Sequence, residues 1–262
     1  MKKLSIVFFI LLVLVVANQA NAKVYKIAII DSGIHYKNMV LSKDYKSKIK
    51  LCKTGHKNYI DGSNSIHDNH GHGTHIAGLI AKEIKEVEYC FIIMKVFDRS
   101  HGTVYTQAIK DAIAMNVDAI NISGGGMGEI KTECRAVKEA TKRGIAVVAA
   151  AGNGGTKIYK RKYKKTHAYG KQYFFPASCD NNKMIVVGNG QTSKDIAKSS
   201  NYGDIVDIYI NGNDAYVFGT RMTGTSQSTA IATGKFINQL GRVSPKGVKN
   251  GKKTTVGKKS DK

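Results

Sequence analysis

The stretch VYKIAIIDSG, residues 24–33, decides how this chain folds. Val24 to Ile30 is nearly all apolar and reads as a buried strand that ends at Asp31, where Ser32-Gly33 breaks it. Outward from it, apolar spacing predicts a second strand near Ile49 to Cys52 and a polar loop over residues 61–73. A helix is expected from Gly73 to Lys85, carried by Ile76, Leu79, Ile80 and Ile84. Tyr89 to Phe97 reads as a strand, Val104 to Met115 as a helix and Ala119 to Ser123 as a short strand. Glu129 to Arg143 is a polar helix closed by Gly144, followed by an apolar strand from Ile145 to Ala151. Met184 to Val187, Ile205 to Ile210 and Ala215 to Phe218 are further strands, and Ser226 to Leu240 reads as a helix.

Strands alternating with helices imply an α/β fold of three layers, a mainly parallel central sheet with helices on both faces. Active sites of such sheets lie beyond the carboxyl ends of the strands. Asp31, Ser123 and Asn153 all fall there.

The rest of the composition bounds compartment and partners. Met1-Lys2-Lys3, an apolar run from Leu4 to Val16 and Ala20-Asn21-Ala22 form a signal-peptide pattern, with cleavage expected after Ala22. The run is short of the ~20 residues that span a bilayer. The expected organisation is a signal peptide over 1–22, one domain over 23–240 and a basic, disordered tail over 241–262. A net charge of +22 draws the chain to anionic polymers, surfaces or acidic proteins, and the Lys- and Gly-rich tail is either a tether to an anionic surface or a solvated end. Four cysteines in an exported chain suggest two disulfides, and four allow three connectivities. No CxxC pair points to zinc.

Three segments carry chemistry: Ile30-Asp31-Ser32-Gly33-Ile34, Gly71-His72-Gly73-Thr74-His75-Ile76-Ala77-Gly78 and Gly224-Thr225-Ser226-Gln227-Ser228. A serine hydroxyl is a poor nucleophile near neutral pH. It needs an imidazole to take its proton and a carboxylate to orient that imidazole. Each segment alone reads equally as a turn, a loop or a cap; together, in the order Asp, His, Ser, they point to acyl transfer.

From about Tyr25 to Ile237 the chain resembles the subtilisin-like serine protease family, since Asp118 to Ser123 (DAINIS) and Val148 to Gly154 (VAAAGNG) also match its motifs in order. The resemblance implies a secreted serine endopeptidase with Ser226 as nucleophile, His72 as base and then acid, and Asp31 orienting it. Asn153 and the Ser226 N–H would hold the oxyanion. Substrate would lie extended along Ser123, Gly124 and Gly125, with its primary pocket between these and Ala150, Ala151, Gly152 and Gly154. Phe174 and Phe175 would come at the floor, giving a narrow, uncharged pocket for small or medium apolar residues. The resemblance also suggests a cis bond before Pro176, a monomer and no cofactor.

The chain departs from the family in four places. The first strand starts close to the cleavage site, so no pro-segment is expected there, and the chain either folds unaided or is restrained by a separate inhibitor or chaperone. Thr229 stands where the family has Pro. The link from Glu83 to Glu88 lacks the calcium-holding loop of many relatives, and no metal is expected among His67, Asp68, His70 and His75. Thr156 to Phe174 is an enlarged segment in which Lys and Arg alternate with Tyr. It reads as a solvated loop, a contact for acidic substrate, or, ranked last, a nucleic-acid surface. Cys52 and Cys90 fall on strands that should be adjacent, so pairing 52–90 and 134–179 is expected. Beside the peptidase reading stand a catalytically silent, basic binding protein on the same scaffold and another acyl hydrolase such as an esterase, which lacks support because G-x-S-x-G is absent around Ser226.

Overall fold

The computed structural model describes residues 23–35, 49–96, 102–161 and 171–243. The expected signal peptide, most of the basic tail and the middle of the basic segment lie outside the described residues. The elements in chain order are β1 (Tyr25–Asp31), β2 (Lys57–Asn58), α1 (His72–Glu83), β3 (Tyr89–Lys95), α2 (Gly102–Ala114), β4 (Ala119–Ile122), α3 (Lys131–Lys142), β5 (Ala146–Ala150), β6 (Ile185–Thr192), β7 (Asp195–Ile196), β8 (Ile208–Ile210), β9 (Ala215–Val217), β10 (Thr220–Met222) and α4 (Thr225–Val243).

The apolar run of β1 is explained by its place in the sheet. It lies between β3 and β4, parallel to both, in the order β2-β3-β1-β4-β5-β6-β7, with β8 also parallel to β6. Alternate side chains of a strand point to opposite faces. Ile27 and Ile29 cluster with Ile76 and Ile80 of α1 and Ala230 and Ile237 of α4. Ala28 and Ile30 cluster with Ala108 and Ile109 of α2 and Val137 and Ala140 of α3. Both faces are covered, so neither can be polar. Each buried Ile contributes about 1.5–3 kcal/mol, a large share of the ~5–15 kcal/mol net stability of a domain. The three-layer expectation holds.

The strand expected at Ile49 to Cys52 is only a bridge between Leu51 and Phe91. The chain leaves the sheet through a turn at Gly55 (φ 98°) and rejoins it as β2. His56 fills the gap: its Nδ1 accepts the Ile93 N–H at 3.0 Å, so its Nε2 carries the proton and donates to the Cys52 carbonyl at 2.8 Å. The strand expected over Ile205 to Ile210 forms only from Ile208. The strand expected to end at Phe218 turns there into β10, with positive φ at Phe218 (52°) and Gly219 (76°), the two-residue hairpin turn whose twist suits antiparallel strands.

The disulfides are Cys52–Cys90 and Cys134–Cys179, as expected, closing separations of 38 and 45 residues. In the chain-entropy description each is worth about 3–4 kcal/mol. The Phe175–Pro176 bond is cis. α4 does not stop before the tail expected from Gly241. It continues to Val243, where Arg242 makes a two-pronged pair with Glu86 through Nε (2.8 Å) and Nη2 (2.6 Å).

Candidate active site

Asp31 sits at the carboxyl end of β1 and His72 opens α1. His72 Nδ1 lies 2.7 Å from Asp31 Oδ1. The carboxylate only accepts, so Nδ1 carries the hydrogen and Nε2 is the nitrogen able to take a proton. Asp31 Oδ1 also accepts the Ser32 N–H at 2.8 Å, which fixes the carboxylate against its own turn. The Asp31 side chain is 3% exposed and that of His72 18%. Burial opposes a charged imidazole, but the Asp31 charge and hydrogen bond, with Asp68 farther off, outweigh it and hold the His72 pKa above 6.5. Gly73 permits the approach: a Cβ there would run into the Gly33 carbonyl and come 3.1 Å from Asp31 Oδ1.

Ser226 lies in the first turn of α4, and β4, the neighbour of β1, brings Ser123 to it. Ser226 Oγ donates to the Ser123 carbonyl at 2.6 Å, and Ser123 Oγ donates to the Ser226 carbonyl at 3.0 Å. Ser123 Oγ accepts from Asn121 Nδ2 (2.9 Å), and Asn121 Oδ1 accepts from Thr233 Oγ1 (2.9 Å), so a buried polar chain ties β4 to α4. Thr229, the replacement for the family's Pro, bonds its hydroxyl back to the Thr225 carbonyl at 2.7 Å inside an unbroken helix. The Ser226 amide is in the first turn, where no preceding carbonyl of the helix can accept it.

Asn153 follows β5. Its Oδ1 accepts both the Thr225 N–H (2.9 Å) and the Thr225 hydroxyl (3.0 Å). That fixes the amide's orientation and turns Nδ2, a pure donor, away from Thr225. The elements carrying Asp31, Ser123 and Asn153 are consecutive neighbours in the sheet, β1-β4-β5, so the candidate residues share one carboxyl edge.

Asp31, His72, Asn153 and Ser226 are thus gathered at this edge. The Subtilase family model matches residues 22–242. The chain belongs to the subtilase family of serine peptidases. Over 240 residues it is 28% identical to the major intracellular serine protease of Bacillus subtilis, covering 83% of this chain and 69% of that protein. It is 31% identical to the thermostable alkaline protease of Halalkalibacterium halodurans, covering 80% of this chain and 55% of that one. The crystal structure of a cold adapted subtilisin-like serine proteinase superposes with a TM-score of 0.63 at 22% identity, covering 84% of this chain and 78% of that chain, which shows the fold. The subtilase thus spans little more than half to about two thirds of these two relatives.

Two residues that hold the subtilase site together were not picked out for that role from sequence. Asp68, considered only as a metal ligand, accepts from Ser32 Oγ (2.9 Å), His70 N (3.0 Å), Gly71 N (2.8 Å), Thr74 N (2.9 Å) and Thr74 Oγ1 (2.6 Å). It caps the helix that begins with His72. Burial pushes its pKa up, but these donors win and lower it. The signal was present, an Asp in a Gly- and Asn-rich loop just before a helix. Asn201 is the second. Its Nδ2 donates to the Ala151 carbonyl (2.8 Å), its N–H to the Gly152 carbonyl (2.8 Å), and its Oδ1 accepts the N–H of Gly154 (3.0 Å) and Thr156 (3.2 Å). Nothing in its surroundings in sequence marks it.

Asn201 also changes the reading of the pocket wall. The Ala151 N–H goes to the Val187 carbonyl and the Gly152 N–H to Thr225 Oγ1, so these polar groups serve the fold. Ala150 is buried in the sheet. Ser123, Gly124 and Gly125 follow β4, while Gly126 pairs through both N–H and carbonyl with Phe175 (2.9 and 2.7 Å). Phe175 is therefore buried core, while half-buried Phe174 stays beside the wall. Of the histidines, His75 is 2% exposed and donates from Nε2 to the Ala215 carbonyl at 3.0 Å, pinning the β9–β10 hairpin. The His67 ring meets the His35 ring edge-on at 4.7 Å.

Proposed function

We propose that this subtilase is an exported serine endopeptidase that hydrolyses peptide bonds through an acyl-enzyme. Ser226 Oγ attacks the scissile carbonyl while His72 Nε2 takes its proton. The resulting oxyanion is held by Asn153 Nδ2 and the Ser226 N–H at the amino end of α4, where the helix dipole favours negative charge. His72 returns the proton to the leaving amine, and water then releases the acyl group by the same steps in reverse order. The peptide lies extended against Ser123, Gly124 and Gly125 as an added strand. The observation that carries this reading is the 2.7 Å bond from His72 Nδ1 to Asp31, on the same sheet edge as Ser226. Export rests on the pattern over residues 1–22 and gains support from two disulfides, which persist in oxidising compartments.

The test compares the chain from Lys23 with its Ser226→Ala variant, using a fluorophosphonate probe and unfolded casein. The wild type should label and cleave, and the variant should do neither, with kcat lower by on the order of 10⁶. A folded wild type inert in both assays overturns the catalytic reading in favour of a silent binding protein. Amino-terminal sequencing of the exported chain should begin at Lys23.

A further inference from the structure

The ring of Phe174 crosses the slot between the two walls of the proposed substrate pocket. A Cβ built on Gly125 would lie 2.7 Å from Phe174 Cε1 and 2.9 Å from Cζ. A Cβ built on Gly152 would lie 2.8 Å from Cγ and 2.9 Å from Cδ1 of the same ring. The outer edge of the ring therefore touches the wall after β4, and the inner edge touches the wall after β5. One phenyl ring spans the gap, and the glycines on either side are what allow it to fit.

The ring is held from its backbone. The Phe174 N–H donates to Ser178 Oγ at 2.9 Å and its carbonyl accepts the Ser178 N–H at 2.7 Å, with Ser178 fully buried. The next residue, Phe175, is fastened to Gly126 by two backbone hydrogen bonds. These bonds fix the backbone from which the ring projects. Phe174 itself is half-buried.

We infer that Phe174 closes the primary pocket and limits cleavage to bonds that follow glycine or alanine. This rests on the endopeptidase reading and narrows it: the sequence suggested small or medium apolar residues, and the ring leaves room for the small ones only. A larger side chain would have to overlap an aromatic ring in a packed site, and overpacking of that kind is disfavoured.

The experiment measures kcat/KM on a peptide series in which only the residue before the scissile bond changes, through Gly, Ala, Val, Leu, Phe and Lys. Wild type should prefer Ala to Phe by on the order of 10²-fold, the discrimination that pocket size provides. In Phe174→Ala the Phe-to-Ala ratio should rise by on the order of 10²-fold, and in Phe174→Leu by an intermediate amount. Fluorophosphonate labelling and thermal melting verify that each variant is folded. A wild type that labels but cuts after Phe or Leu as readily as after Ala overturns the inference and leaves the peptidase reading standing. So does a labelled Phe174→Ala with an unchanged profile. A folded wild type that neither labels nor cleaves overturns both.

Discussion

Ser226 and Ser123 hold each other by exchanged hydrogen bonds, each hydroxyl donating to the other's carbonyl, at 2.6 and 3.0 Å. The proposed nucleophile is thus parked on a main-chain carbonyl of the proposed substrate strand. Attack requires its proton to turn from Ser123 towards His72. Ser123→Ala would leave the buried Asn121 Nδ2 without its partner and take the second donor from the Ser226 carbonyl. The unpaired amide alone costs about 1–3 kcal/mol. The variant should unfold at lower urea and label more slowly with fluorophosphonate, and a midpoint equal to wild type would discount the network.

His72 acts as a base only when neutral. Its pKa is held above 6.5, so the acid limb of kcat/KM should lie above that pH, with activity lost as pH falls through it. For stability the sign is opposite. The Asp31–His72 pair stabilises fully below the unfolded imidazole value near 6.5 and is lost as pH rises through the raised native value. Asp31→Asn leaves burial in control, so the imidazole should titrate at lower pH by NMR, and kcat should fall on the order of 10⁴-fold. An unmoved imidazole titration would mean Asp31 does not set it.

Asn153 has its Oδ1 committed twice to Thr225, which fixes where Nδ2 is available. Asn153→Ala should lower kcat by on the order of 10²–10³-fold with KM little changed. Thr225→Val removes the hydroxyl bond to Asn153 and the acceptor of the Gly152 N–H, each worth about 0.5–1.5 kcal/mol, but keeps the Thr225 N–H bond to Asn153 and should lower kcat by less than Asn153→Ala does. Equal losses in KM would instead assign Asn153 to ground-state binding.

Glu133, 5% exposed at the start of α3, has its pKa pushed up from 4.5 to about 7 by burial. The native state therefore binds this proton more tightly than the unfolded chain. Its contribution is fully present below pH 4.5 and is lost as pH rises towards 7. The limit is about 3 kcal/mol at 1.36 kcal/mol per unit. Glu133→Gln should lose less stability than wild type between pH 5 and pH 8 in paired urea titrations. Parallel losses in both proteins would show that Glu133 does not titrate in this range.

Sequence by itself determined the parts whose signals are local. The apolar run of β1 could only be a strand buried on both faces. The helical spacing of α1 and α4 and the Gly-bounded motifs around Asp31, His72, Asn153 and Ser226 fixed which residues reach the carboxyl edge. The tertiary structure decided what depends on partners far along the chain. It realised the expected disulfide pairing by bringing Cys134 of α3 beside Cys179. It let His56 replace a stretch of sheet ladder, because a backbone N–H on β3 had to be satisfied where the edge strand broke off. It gave Asn201 to residues 151–156, nearly fifty positions earlier, and laid Phe174 between Gly125 and Gly152. Lone polar or aromatic residues in loops carry no periodicity, and their roles are set by hydrogen bonds and van der Waals contacts that exist only once the sheet has assembled.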